Sequence, residues 1–188
     1  MSVVVVWLMA LAGCQHGSRS NSTGTEQDST ALAEIFEFQR KAYRAENDVI
    51  AIVKADTGRQ WVQYEFGWWY HYTHKSEEHD EDVFIYEVKK PDYPIHETVY
   101  TLDGSELIVD AIREFDVPEG ERGFSDTEPF AYQIMLREMV PNDTAILLIP
   151  WTLAYGKEGN EHVPPYTSVR VQLTLHTAGG CDAEMTEE

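Results

Sequence analysis

Hydrophobic and polar positions change rhythm several times along this chain, and each change predicts an element. Residues 2–13 (SVVVVWLMALAG) are uncharged and almost wholly apolar. A membrane-spanning helix needs about 20 such residues, so this shorter run has the length of a leader's hydrophobic core. Residues 15–30 (QHGSRSNSTGTEQDST) hold no aliphatic or aromatic side chain. A segment with nothing to bury cannot offset its conformational entropy, and it reads as a flexible tether reaching about 20 Å.

Helical spacing begins at residue 31. Leu32, Ile35 and Phe36, then Val49, Ile50, Ile52 and Val53, predict a helix in two pieces over 31–56, ended by Gly58. Aromatics crowd residues 61–73 (WVQYEFGWWYHYT), which predicts a strand with Gly67 as a bulge. A charged turn over 75–82, a strand over 83–88, a loop at 91–94 and a short strand over 98–101 follow. Residues 102–124 have weak periodicity, with a polar turn at Pro118-Glu119-Gly120-Glu121. A helix then starts from Asp126 or Thr127 as cap with Pro129 in its first turn, and Tyr132, Met135, Leu136 and Met139 form its apolar face. Pro141-Asn142-Asp143 stops it. Residues 144–149 (TAILLI) read as a buried strand, and 168–175 (SVRVQLTL) alternate as the last one. Strands, one central helix and more strands predict an α+β domain, an antiparallel sheet wrapped on a central helix, with an N-terminal helical extension.

Composition narrows the function. Of 188 residues, 43% are hydrophobic and 12% aromatic, enough for a packed core. Fourteen Lys and Arg against 33 Asp and Glu give a net charge of −19, a surface that repels phosphate backbones and excludes a nucleic-acid partner. Two cysteines, Cys14 and Cys181, make neither a disulfide framework nor a four-ligand zinc site. No nucleophile elbow, phosphate loop or dinucleotide fingerprint occurs. His96-Glu97-Thr98-Val99-Tyr100 begins like a zinc-protease motif but ends in Tyr. His71, His74 and His79, among the acidic residues 77–82, could hold a divalent cation, but their spacing is irregular and a solvated face is the simpler reading, so no metal is assigned.

Two motifs carry resemblances. Leu11-Ala12-Gly13-Cys14 resembles the lipobox of bacterial lipoproteins, although no Lys or Arg precedes the apolar run; it implies that Cys14 is lipidated and that the protein is anchored to a membrane of the bacterial cell envelope. Leu153-Ala154-Tyr155-Gly156, a polar loop, Val163-Pro164-Pro165 and an alternating strand resemble the C-terminal half of the FK506-binding-protein (FKBP) type of peptidyl-prolyl isomerase. Working back, residues 139–145 resemble that family's turn after its helix, with Asn142 where Gly is usual, and Tyr132 falls where its pocket-floor Trp stands. Tyr86 falls on the family's strand Tyr, Val99-Tyr100 is the nearest candidate for its Phe-Asp, and Val171 falls on a pocket Phe. Gly67-Trp68-Trp69-Tyr70 is similar to a strand of the gliding-motility-associated lipoproteins of this type. The resemblance implies five regions: a signal peptide over 1–13, the tether over 14–30, an extension over 31–79, an isomerase domain over 80–177 and an acidic tail over 178–188.

The implied activity is isomerisation of X–Pro bonds in exported client polypeptides, without a cofactor. By resemblance, Tyr132, Tyr155 and Tyr86 would be the catalytic residues and Val99, Tyr100, Leu136, Val163 and Val171 would bind substrate. Tyr for Trp and Val for Phe shrink the pocket, which predicts weak or narrow activity. The second expectation keeps the fold and makes it a non-catalytic binding or chaperone module in an envelope or motility assembly. A metal-binding lipoprotein is the third.

Overall fold

The protein is described by a computed structural model over residues 23–77, 94–114 and 129–177. In chain order its elements are α1 (Thr23–Ala55), β1 (Val62–Gln63), β2 (Trp69–His74), β3 (Pro94–Thr101), β4 (Leu107–Glu114), α2 (Phe130–Glu138), β5 (Thr144–Ile149) and β6 (Val169–Leu175). The strands form one sheet in the order β1-β2-β5-β6-β3-β4, and every pair is antiparallel. The α+β class expected from the pattern is the one observed.

Alternation along the strands decides which face packs on α2. Val169, Val171, Leu173 and Leu175 of β6, Ala145, Leu147 and Ile149 of β5, and Ile95 and Val99 of β3 form one buried cluster with Ala131, Tyr132, Met135, Leu136 and Met139 of α2. Trp68 and Val163 complete it. Each such aliphatic side chain contributes about 1.5–3 kcal/mol on full burial. Ile146 and Leu148 point to the other face and are buried as well, as are Ala45 and Val49 of α1. The Trp151 indole N–H donates to the Lys41 carbonyl at 3.4 Å and the Phe38 ring meets the Trp151 ring edge-on, which brings the second half of α1 to the end of β5.

The chain divides into two units, Met1–Phe36 and Glu37–Glu188. In the first, the expected apolar residues Leu32, Ile35 and Phe36 are exposed. The helix is also one piece and begins at Thr23, inside the stretch read as tether. Once a helix is nucleated, each added residue gains a hydrogen bond without a new nucleus, so polar residues extend it without an apolar face of their own.

Other boundaries moved for local reasons. Residues 61–73 do not form one strand: Gly67 sits at φ +101°, its N–H donates to the Tyr64 carbonyl, and the chain folds into the β1–β2 hairpin. Gly67 is therefore a turn residue rather than a bulge. β3 starts at Pro94, earlier than expected, and β4 was missed because consecutive Leu107, Ile108 and Val109 hide the period of two. Pro129 is the N-cap of α2, with no side-chain cap bond. Asp126 and Thr127, the strand expected over 83–88, the acidic tail and Cys14 lie outside the described residues.

Candidate functional site

The helix α2 turns Tyr132 inward because Tyr132, Met135, Leu136 and Met139 recur on one face and all four are buried. Its first turn is anchored by Pro129, whose carbonyl accepts from the N–H groups of Tyr132 and Gln133. Beyond the other end, Asn142 takes the left-handed conformation, with φ 73°. Asn tolerates it better than most side chains. Asp143 secures that turn by accepting the Val140 N–H at 2.9 Å.

Tyr155 is placed by the chain after β5. The Pro150 carbonyl accepts from the N–H groups of Leu153 and Ala154, and the Trp151 carbonyl from Gly156, so the backbone coils once and projects Tyr155 back toward α2. The loop that follows is closed by its own bonds. Asn160 Oδ1 accepts the N–H groups of His162 and Val163, the Asn160 N–H donates to the Val163 carbonyl, and the Tyr166 N–H donates to Gly156. At the loop's base the Trp151 N–H donates to the Ser168 hydroxyl at 3.0 Å. Val163-Pro164-Pro165 therefore enters β6 on a fixed path, with Val163 wholly buried.

These two frames bring the tyrosines together. Their hydroxyls are 3.2 Å apart and their rings meet edge-on, with centroids separated by 6.5 Å. Tyr132 is 0% exposed, while Tyr155 is half-buried and packs against the core. Burial pushes the Tyr132 hydroxyl well above the ordinary tyrosine range, the nearby Tyr155 and Glu97 add to that, and Arg113 opposes it. Tyr132 therefore stays protonated and neutral. Val99, Val163, Val171 and Leu136 lie in the same buried cluster as Tyr132. The arrangement is an apolar cluster with two hydroxyls in contact, one on a wholly buried ring and one on a half-buried ring.

Tyr100 does not join them. Val99 faces the core, so the next residue of β3 faces the other side of the sheet, where Tyr100 pairs in register with Arg170. That removes Tyr100 from the pocket wall. Tyr86 lies outside the described residues. Among the described residues no His, Cys, Asp or Glu group is arranged to hold a metal, and a His71 ring nitrogen lies 3.1 Å from the Gln60 carbonyl.

Sequence reasoning missed a charged pair. Glu97 stands between Ile95 and Val99 on the core-facing phase of β3 and is buried. Arg113 on β4, opposite Ile95, donates to the Glu97 carboxylate at 2.9 Å. The signal was present: a carboxylate on the apolar phase of an alternating strand demands a partner.

No family model and no curated protein matches the chain in sequence. Solved structures do match in shape. A peptidyl-prolyl cis-trans isomerase from Pseudomonas syringae pv. tomato is 20% identical with a TM-score of 0.51, over 72% of this chain and 92% of that one. FkpA from Escherichia coli is 16% identical with a TM-score of 0.53, over 85% of this chain and 74% of that one. The likeness is one of fold, and the fold is FKBP-like α+β.

Proposed function

We propose that this protein is an FKBP-type peptidyl-prolyl cis-trans isomerase acting on proline-containing segments of exported proteins. It is held at the bacterial cell envelope by lipid on Cys14, as the lipobox resemblance implies, and belongs with the gliding-motility-associated lipoproteins. The observation that carries the reading is the meeting of the Tyr132 and Tyr155 hydroxyls, 3.2 Å apart, over a floor shared with Val99, Val163 and Val171.

The reaction asks little of acid–base chemistry. Rotation about an X–Pro amide meets a barrier of about 18–20 kcal/mol because twisting breaks resonance. A dry apolar cleft favours the twisted amide, whose carbonyl is less polarised, over the planar one that water solvates well. Tyr155, half-buried, donates its hydroxyl to a substrate carbonyl. Tyr132 lies under the prolyl ring with Leu136 and the valines around it. Because Tyr132, Val99, Val163 and Val171 are fully buried, the ring enters only after covering side chains move aside, and the Tyr132–Tyr155 contact is one that has to open. That displacement breaks one hydrogen bond, at a net cost of about 0.5–1.5 kcal/mol, and is one reason to expect slow turnover.

The test is a protease-free exchange assay by NMR on a proline peptide with the full chain. Catalysed exchange above the spontaneous rate supports the reading; none at high enzyme concentration sinks it. The same closed floor favours a second reading, a non-catalytic module that holds a partner through this domain, and it would then be the one left standing.

A further inference from the structure

Two non-glycine residues among those described have positive φ. Asn142 belongs to a type that tolerates it; Tyr166, at φ 59°, does not. Backbone of that kind persists only where its surroundings over-determine it, and it gathers at active sites and ligand clamps. Burial does not hold Tyr166, which is 40% exposed. Three contacts do. Its N–H donates to the Gly156 carbonyl at 3.1 Å, and since Pro164 and Pro165 carry no N–H, this is the first donor after Val163 that can close the loop. Its ring meets the Trp151 ring edge-on, with centroids 4.9 Å apart. The Lys41 ammonium of α1 stands over that ring, 4.3 Å from its centroid. Trp151 is bound to the same part of α1, through its indole N–H on the Lys41 carbonyl and through Phe38.

Tyr155 lies in the chain between these two clamped residues. The Gly156 beside it donates its N–H to the Trp151 carbonyl and accepts from the Tyr166 N–H, so both of its backbone bonds end on the clasp. Val163 is held separately, by the Asn160 side chain. We infer that Tyr166 is a positioning residue for the Tyr155 hydroxyl and that Lys41 locks it there, which makes α1 from Glu37 onward part of the catalytic unit. The inference rests on the isomerase reading, in which Tyr155 donates to a substrate carbonyl. Such a donor works only while it is held in place. With the ring clasped, the strained turn keeps its bond to Gly156 and Tyr155 keeps a fixed base. With the clasp released, the backbone relaxes out of the left-handed region and that bond is lost.

The experiment titrates the full chain with a proline peptide in the NMR exchange assay, which separates kcat from KM. In Tyr166→Ala no ring holds the turn, and kcat is expected to fall about three- to fivefold with KM nearly unchanged, because the donor acts on the twisted amide. Lys41 is exposed, so Lys41→Met leaves the fold intact; it lowers kcat about two- to threefold, the worth of an exposed cation over a ring. Lys41→Arg recovers most of that loss, since a guanidinium stacks on the same ring. In a Tyr155→Phe background neither change lowers kcat further, because the group they position is gone. A kcat unmoved by Lys41→Met, a loss carried by KM, or an equal loss with and without the Tyr155 hydroxyl overturns the inference while leaving the isomerase reading intact. If no peptide is isomerised, that reading falls, and amide hydrogen exchange decides the clasp by itself. Exchange about threefold faster at Gly156 and Tyr166 in Lys41→Met supports it; unaltered exchange overturns it.

Discussion

At the scale of single residues, the Tyr155 hydroxyl, which meets that of Tyr132, is the group whose removal is most informative. Tyr155→Phe deletes one oxygen and leaves the ring against the core, so the fold persists by circular dichroism. Exchange catalysis is expected to fall about tenfold, the worth of about 1.4 kcal/mol in transition-state stabilisation; unaltered catalysis would remove Tyr155 from the mechanism. Asp103 offers a separate test, in the β3–β4 turn. Its carboxylate accepts from the Thr101 hydroxyl and from the N–H and hydroxyl of Ser105, and these bonds lower its pKa from 3.8 to about 2. A depressed folded-state pKa means that its contribution is complete above pH about 4 and is lost as pH falls toward 2. Asp103→Asn should therefore flatten part of the stability loss between those pH values, read from urea midpoints at pH 5, 3 and 2.

Among the elements, the loop from Gly156 to Tyr166 is the one whose shape the cleft depends on. Gly159 sits at φ +68°, and a Cβ there would lie 2.3 Å from the Val163 carbonyl oxygen and 2.8 Å from Pro165 N. Backbone cannot retreat as a side-chain tip can. Gly159→Ala should lower stability by about 2 kcal/mol or more and disturb Val163, shown by loss of loop amide protection in hydrogen exchange. The helix α1 gives an internal contrast. Val49 is 1% exposed and Leu32 54%. Val49→Ala should cost about 2 kcal/mol in urea unfolding and Leu32→Ala under about 0.5 kcal/mol, marking which part of α1 belongs to the domain's packing.

For the whole molecule, a net charge of −19 on 188 residues sets a self-repulsion that the fold must hold against. Raising NaCl from about 20 mM to 500 mM shortens the Debye length several-fold, so the melting temperature should rise in a thermal scan. A temperature that falls instead would show that attractive pairs, such as Glu97–Arg113, outweigh the repulsion.

The local rhythm of side chains was enough to foresee β5, β6 and the buried face of α2, because alternation or helical spacing there is unbroken over whole elements. The segment from Tyr155 through Val163 was legible for another reason: its Gly and Pro residues restrict the backbone directly, whatever lies around them. Other features depended on partners far away in the chain. Leu107, Ile108 and Val109 are apolar in a row, and only pairing with β3 sorts them: the register shifts there, leaving Leu107 exposed opposite Tyr100 while Ile108 and Val109 pack against the core. Tyr100 looked like a pocket residue beside Val99 until the sheet placed the two on opposite sides. Glu97 and Arg113 are sixteen positions apart, and only antiparallel register makes them an ion pair. Periodicity is a property of neighbours along the backbone, whereas a site is made by side chains that meet across strands, and that meeting is settled by register and burial together.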